Sequence, residues 1–330
     1  MKTGLFRAVL LAFSVVISYT TVIGASFGAG HATELVLVTI TPTRITRTPT
    51  RTFTPTRRPT RTRTPTPTAV SGQAYTQVTA GLFHTCGLKS DSTLACWGLN
   101  TVEQAMPPAG TFSQVSAGGL QSCGRRTDNT LACWGDNTYG QVSPPAGTFT
   151  QVDTDGYHTC GVKIDSTLAC WGRNDFGQAG PPAGTFTQVS AGKYHTCGLK
   201  VDSTLACWGR NNIGQATPPI GTFSQVSAGI YHTCGLTTDG SLTCWGDNAY
   251  GQATPPTGTF SQVSAGEIHN CGIESDGTLT CWGDNTYGQA MPPTGIFSQI
   301  SAGGFHTCGV QSDDTLACWG RNNFGQASPP

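Results

Sequence analysis

The chain has 330 residues, 18 basic and 18 acidic side chains, and only 11% charged residues, where a soluble domain averages about 25%. Its 43 glycines and 20 prolines interrupt it too often for long helices, which excludes a helical bundle. The zero net charge conceals a segregation: residues 1–74 carry nine basic side chains against Glu34 alone, a net of +8, and residues 75–330 carry nine basic against seventeen acidic, a net of −8, which excludes a globally basic nucleic-acid binder.

Lys2 and Arg7 precede an uncharged stretch from Ala8 to Gly30 with an apolar part at Ala8–Ile23, followed by small residues near Ala25, Ala29 and Ala32. A basic region, an apolar region and small residues in that order describe a secretory signal, so residues 1–32 are read as a signal peptide. An uncleaved signal anchor is the alternative. Both readings export the rest of the chain to the cell surface or beyond.

Residues 33–74 read as a linker. Between Thr39 and Val70, 14 of 32 residues are Thr, 6 are Pro and 7 are Arg, with no acid. Such a segment cannot bury enough apolar surface to offset its ordering entropy and is expected to be disordered. The X-Pro steps and like charges extend it into a stalk. A spacer role is expected, and its arginines also suit an anionic wall polymer or membrane surface.

From Tyr75 onward the chain is an array of seven 37-residue units with no insertion or deletion. Trp97, Trp134, Trp171, Trp208, Trp245, Trp282 and Trp319 keep the step, and so do the cysteine pairs. Each unit holds three short strand signals separated by turns. Folding the second and third about Asp91 sets Cys86 opposite Cys96, Leu88 opposite Leu94 and Thr85 opposite Trp97. Alternation then gives each sheet one face of Leu and Cys and one of Trp, Thr, Ala and Gly. A small sheet with two apolar faces must stack on copies of itself, and seven such sheets close most simply into an all-β, seven-bladed propeller. The strand at Tyr75 is expected to pair with the last unit's hairpin and seal the ring.

The pattern A-G-x-x-H-T-C-G-L-x-x-D-G-x-L-x-C-W-G-x-N-x-x-G-Q, complete at Ala228–Gln252, resembles the regulator of chromosome condensation repeat in its short, cysteine-containing bacterial secreted version. The resemblance covers residues 75–330 and implies a seven-bladed propeller. The family includes a guanine-nucleotide exchange factor, binding scaffolds and secreted β-lactamase inhibitors, but none of these activities has a motif that falls on a residue here.

Fourteen cysteines in an exported chain imply disulfides. The opposed pairs are Cys86–Cys96, Cys123–Cys133, Cys160–Cys170, Cys197–Cys207, Cys234–Cys244, Cys271–Cys281 and Cys308–Cys318. The metal alternative, His84 with Cys86 and Cys96, offers three ligands where structural zinc takes four. The repeated histidines (His84, His158, His195, His232, His269, His306) are equivalent copies, whereas catalysis needs one special constellation. Each is read as tying a strand end by a hydrogen bond. Neither a catalytic residue nor a cofactor is expected. The Asn100-type residues and the following Gly140-type residues are read as left-handed turn positions. Unit one has Glu103 at the glycine position, so its loop is expected to be irregular.

Recognition is expected where the copies differ. Phe83, Tyr157, Tyr194, Tyr231 and Phe305 follow the A-G steps. Arg173, Arg210, Asp247, Asp284 and Arg321 follow W-G. Together they form a candidate face for a protein or glycan. Asp153 and Asp155 in unit three are a weaker candidate for a cation. The function read from these features is a non-enzymatic, monomeric binding propeller. A secreted enzyme inhibitor, a structural surface protein and, by family analogy alone, nucleotide exchange are the rival readings.

Overall fold

The computed structural model describes residues 73–330; the expected signal segment and nearly all of the Thr/Pro/Arg-rich stretch lie outside the described residues. Twenty-one strands make seven three-stranded antiparallel sheets, each from one repeat. In the first blade the inner strand is Tyr75–Ala80, the middle strand His84–Lys89 and the outer strand Leu94–Gly98. The register is the one read from the sequence: Cys86 opposes Cys96, Leu88 opposes Leu94 and Thr85 opposes Trp97. At the hairpin tip Asp91 Oδ1 accepts hydrogen bonds from Thr93 N and Oγ1 at 2.9 and 2.6 Å. These bonds, more than the nearby Lys89 charge, hold the Asp91 carboxyl below its usual pKa.

All seven disulfides form between the opposed cysteines, with Cα atoms 4.0–4.1 Å apart. The blades stack as alternation requires. Cys86 and Leu88 of the first blade pack on Phe112, Val115 and Trp134 of the second, and the Phe112 and Trp134 rings meet edge to face at 6.4 Å. The glycine after each first cysteine makes room for this aromatic. A Cβ on Gly124 would stand 2.6 Å from the Phe112 ring.

Between blades the polar groups pair as systematically as the apolar ones. The Gln77 side chain accepts from Val115 N at 3.0 Å and donates to Val115 O at 3.1 Å. The amide thus acts as one extra peptide unit for the neighbouring inner strand. Gln104 O accepts both Ser122 Oγ and Trp134 Nε1 of the next blade, at 3.1 and 2.9 Å. The glutamine of each G-Q step therefore belongs energetically to the blade that follows it.

Ring closure corrects the expectation for the first strand. Tyr75–Ala80 pairs with His84–Lys89 of its own blade, not with the last hairpin. It meets the last blade face to face, through Val78 N to Gln299 Oε1, Ala80 N to Ser301 Oγ and Trp97 Nε1 to Gln326 O. The bond from Tyr75 N to Asp314 O has its counterpart in Phe112 N to Ser92 O and at the later junctions. Every repeat supplies a whole blade, so no strand is left over to exchange. The seventh junction repeats the other six, except that Gln299 Nε2 donates to Ile300 O of its own strand rather than across to the first blade.

Candidate binding face

The connections between inner and middle strands and the loops that follow the outer strands emerge at the same end of each sheet, because Gly98 pairs with His84. This end is the variable face. The opposite end carries the repeated aspartate turns.

Two corrections concern the loops. Asn137 is not the left-handed residue. Gly140 is, at φ 80°, while Asn137 Oδ1 accepts Val142 N and pins the loop from inside. Glu103 takes the glycine's conformation at φ 64°, and Gln104 O still reaches the next blade. The loop of unit one is therefore regular, at the cost of a non-glycine residue in a disfavoured region.

The histidines tie blade to blade rather than one strand end. His84 Nε2 lies 2.7 Å from Ser122 Oγ, and His158, His195, His269 and His306 make the same bond to the next blade's Thr196, Thr233, Thr307 and Thr85. Each of these threonine hydroxyls spends its proton on a glutamine carbonyl, as Thr196 does on Gln178 O, so it accepts from the imidazole. His232 faces Asn270 Oδ1, an oxygen that can only accept. The proton therefore sits on Nε2, and the six buried Nδ1 atoms have no partner. Where Gln121 replaces histidine, its Nε2 donates to Thr154 Oγ1.

The aromatic side chains named from the sequence gather with Tyr139, Phe176 and Tyr287 of the outer loops into two arcs with arginines laid over them. In one, Arg173 covers Tyr139 and Tyr157 at 5.3 and 5.5 Å. Arg210 covers Phe176, Tyr194 and Tyr231 at 5.3, 5.6 and 5.2 Å. Tyr194 and Tyr231 stack at 5.5 Å. In the other, Arg321 covers Tyr287, Phe305 and Phe83 at 5.2, 5.4 and 6.0 Å. Cation–π contact holds each guanidinium against the rings.

Asp247 and Asp284 do not join these arcs. Their carboxylates accept Gln252 and Gln289 Nε2 at 2.9 and 2.6 Å, and Asp284 is buried. They satisfy the loop amide from within, as Asp136 does for Gln141. The charged position after W-G thus has two uses: aspartate holds the loop and arginine dresses the surface.

At the centre of this face lies a cavity of about 110 Å³ at the mouth of the axial channel, lined by the ends of the inner strands. Asp153 takes the place of a repeated serine and accepts Ser116 Oγ and Ala191 N at 2.9 and 2.8 Å. Ser190 Oγ makes the latter bond to Ala228 N. Asp155 accepts Gly156 N and faces an ion pair, Lys193 Nζ to Glu267 Oε1 at 2.7 Å. Burial, reinforced by the Glu267 charge, pushes the Asp155 carboxyl up to about 7. Burial opposes the Lys193 charge, but the neighbouring carboxylates outweigh it and raise its pKa. The two aspartates offered for a cation thus have separate tasks, and the positive charge beside Asp155 is this lysine. Among the described residues no group of three His, Cys, Asp or Glu side chains is arranged to hold a metal. The ion pair was not read from the sequence. Its only signal was opposite charge at the same repeat position two units apart.

The Asp155 pKa lies above its unfolded value of about 3.8, so its contribution to stability is full below that value and is lost as pH rises towards 7. Asp155→Asn is expected to gain stability over the parent across that window, by about 2–3 kcal/mol at pH 8 after screening at the open mouth. Lys193→Met leaves two carboxylates unbalanced and should lose about 3 kcal/mol. Urea titrations at pH 6 and pH 8 check both. A pH-independent difference for Asp155→Asn would refute the assignment.

The regulator of chromosome condensation (RCC1) repeat model matches residues 75–104, 112–141, 149–178, 186–215, 223–252, 260–289 and 297–326. No curated protein is matched by this chain. The CRINKLY WD40 ectodomain of the Arabidopsis thaliana receptor kinase ACR4 is similar at 28% identity and TM-score 0.65, over 78% of this chain and 99% of that one. The ectodomain of the Physcomitrella patens receptor kinase CR4 is similar at 25% identity and TM-score 0.65, over 75% and 74%. Saccharomyces cerevisiae Prp20p shares the fold at 15% identity and TM-score 0.60, over 76% and 83%. With its seven disulfide-pinned blades, this chain belongs to the RCC1 repeat family.

Proposed function

We propose that this protein is an exported, non-enzymatic binding propeller held at the cell surface by its Thr/Pro/Arg-rich stalk, and that it recognises a protein or glycan through the aromatic–arginine face. One observation carries the reading. Every aromatic among the exposed large hydrophobic residues (Tyr139, Phe176, Tyr250, Tyr287 and Phe324) stands on the loops of this one face. Aromatic and arginine side chains on a rigid frame are what binding hot spots are made of. Seven disulfides suit an oxidising, extracellular location. The similar plant structures are receptor-kinase ectodomains, and Prp20p is described by its binding to Gsp1p and histones. Both support a display role for the fold.

The test is a glycan array and a surface pull-down with the oxidised chain, beside a variant carrying Tyr194→Ala and Tyr231→Ala. A saturable ligand weakened at least tenfold in the variant is expected, given the about 2 kcal/mol that a hot-spot aromatic contributes. Absence of any saturable ligand would favour the purely structural role instead.

A further inference from the structure

The seven loops after the outer strands repeat one hydrogen-bonding problem, and they solve it differently. A buried glutamine amide needs an acceptor for Nε2. Asp136, Asp247 and Asp284 supply it in three blades. In the fourth blade Asn212 Oδ1 accepts both Arg210 Nε and Gln215 Nε2, at 2.9 and 3.2 Å. One oxygen there serves two donors. The seventh blade has the same residues, Arg321-Asn322-Asn323 with Gln326, yet Arg321 Nε and Gln326 Nε2 are both buried without a partner. Gln104 and Gln178 Nε2 of the first and third blades also lack one, but the residue after W-G is Leu99 in the first and the paired Arg173 in the third, so only the seventh loop leaves two donors open. Arg173, by contrast, is paired with Asp175 at 2.6 Å. Arg321 forms no ion pair among the described residues.

We infer that Arg321 and Gln326 form a subsite for the carboxylate of an acidic sugar; the inference rests on the binding-face reading and names its ligand class. A carboxylate supplies to both donors the oxygen that Asn212 supplies to Arg210 and Gln215 in the fourth blade. It also matches the guanidinium edge, whose faces are taken up by Tyr287, Phe305 and Phe83. Beside it stand the exposed rings of Tyr287 and Phe324, apolar surfaces on which the C–H face of a pyranose can lie. A peptide is less well served, because the backbone donors around the site are spent. Arg321 N bonds Phe305 O, Gly325 N bonds Asn322 O, and Phe324 N and Ala327 N bond Gln326 Oε1 and Asn322 Oδ1. The ring's net charge of −8 further disfavours a polyanion and favours a ligand with isolated carboxylates.

The experiment follows the arginine Nε–H signals of the intact oxidised chain by NMR during titration with methyl glucuronide, methyl glucoside, acetate or an acidic peptide. A saturable shift of Arg321 with the glucuronide, at least tenfold weaker with the glucoside and with acetate, is expected. Arg321→Gln should lose that binding by roughly tenfold or more, as removal of a charge-assisted hydrogen bond does. Asn323→Asp, which copies the internal pair of Arg173, should weaken it comparably while the fold is retained. An unmoved Arg321, equal response to glucoside or acetate, or tighter binding of the peptide would each overturn the inference. A face ligand that survives Arg321→Gln but not Tyr194→Ala would defeat the subsite and leave the wider reading standing. No saturable ligand for the face at all would remove both.

Discussion

Full reduction of the disulfides should unfold the ring at temperatures where the oxidised protein is intact. Each bond closes a hairpin with a sequence separation of 10, which in the chain-entropy model contributes about 3 kcal/mol. Seven independent hairpins together contribute on the order of 20 kcal/mol, more than the about 5–15 kcal/mol by which folded domains are stable. A single three-stranded blade cannot bury its two apolar faces alone, and it draws the remainder from its neighbours. Losing one bond is therefore a graded defect, whereas losing all of them removes the ring. Cys160→Ala with Cys170→Ala should cost about 3 kcal/mol in urea titration and keep a cooperative transition. Reduction followed by alkylation of all 14 cysteines should abolish that transition in circular dichroism. A reduced, alkylated chain that melts within a few degrees of the oxidised one would show that stacking and the inter-blade hydrogen bonds suffice.

The part of this architecture legible in the sequence is the part that repeats. A fixed 37-residue step with three strand signals per unit leaves one register for Cys86 and Cys96, and the two apolar faces leave only stacking. Three features were hidden for a common reason: each depends on which blade a side chain meets. The bond of His84 to Ser122 and that of Gln77 to Val115 cross a junction that sequence periodicity does not orient. The Lys193–Glu267 pair joins blades two units apart across the channel mouth. Asp247 and Arg210 occupy the same repeat position, so alignment made them equivalent surface residues. Only geometry shows that the aspartate turns to Gln252 and the arginine to the tyrosines. The first strand misled for a different reason. A strand left over at the start of an array must pair with the end to close a ring, but here each repeat is already a complete three-stranded blade.

Acidification should unfold the ring near pH 5 with the uptake of about six protons, through the buried histidines. Burial lowers their pKa values, to about 4 for His84, His158 and His232 and to about 3 for His195, His269 and His306. The unfolded value is about 6.5. These folded values are depressed, so the unfolded state binds more protons throughout the interval. The stability is fully present above pH 6.5 and is lost as pH falls towards the folded values. The geometry supplies the cause: each Nε2 already gives its proton to the next blade, and a second proton on Nδ1 would meet no acceptor. At pH 5 each histidine costs about 2 kcal/mol relative to neutral pH, and six cost about 12, comparable to the whole stability of a domain. Asp155 acts in the opposite direction over an overlapping range, but one carboxyl cannot offset six imidazoles. Since Gln121 already stands in for histidine in the second blade, His306→Gln provides a mild probe. It should reduce the proton uptake by about one and flatten stability against pH by about 1 kcal/mol per unit between pH 5.5 and 6.5, whatever its effect at pH 8. Urea titrations from pH 5.5 to 8 measure that slope directly. A parent protein whose stability does not change between pH 7 and pH 4.5 would mean that the imidazoles find an acceptor when charged.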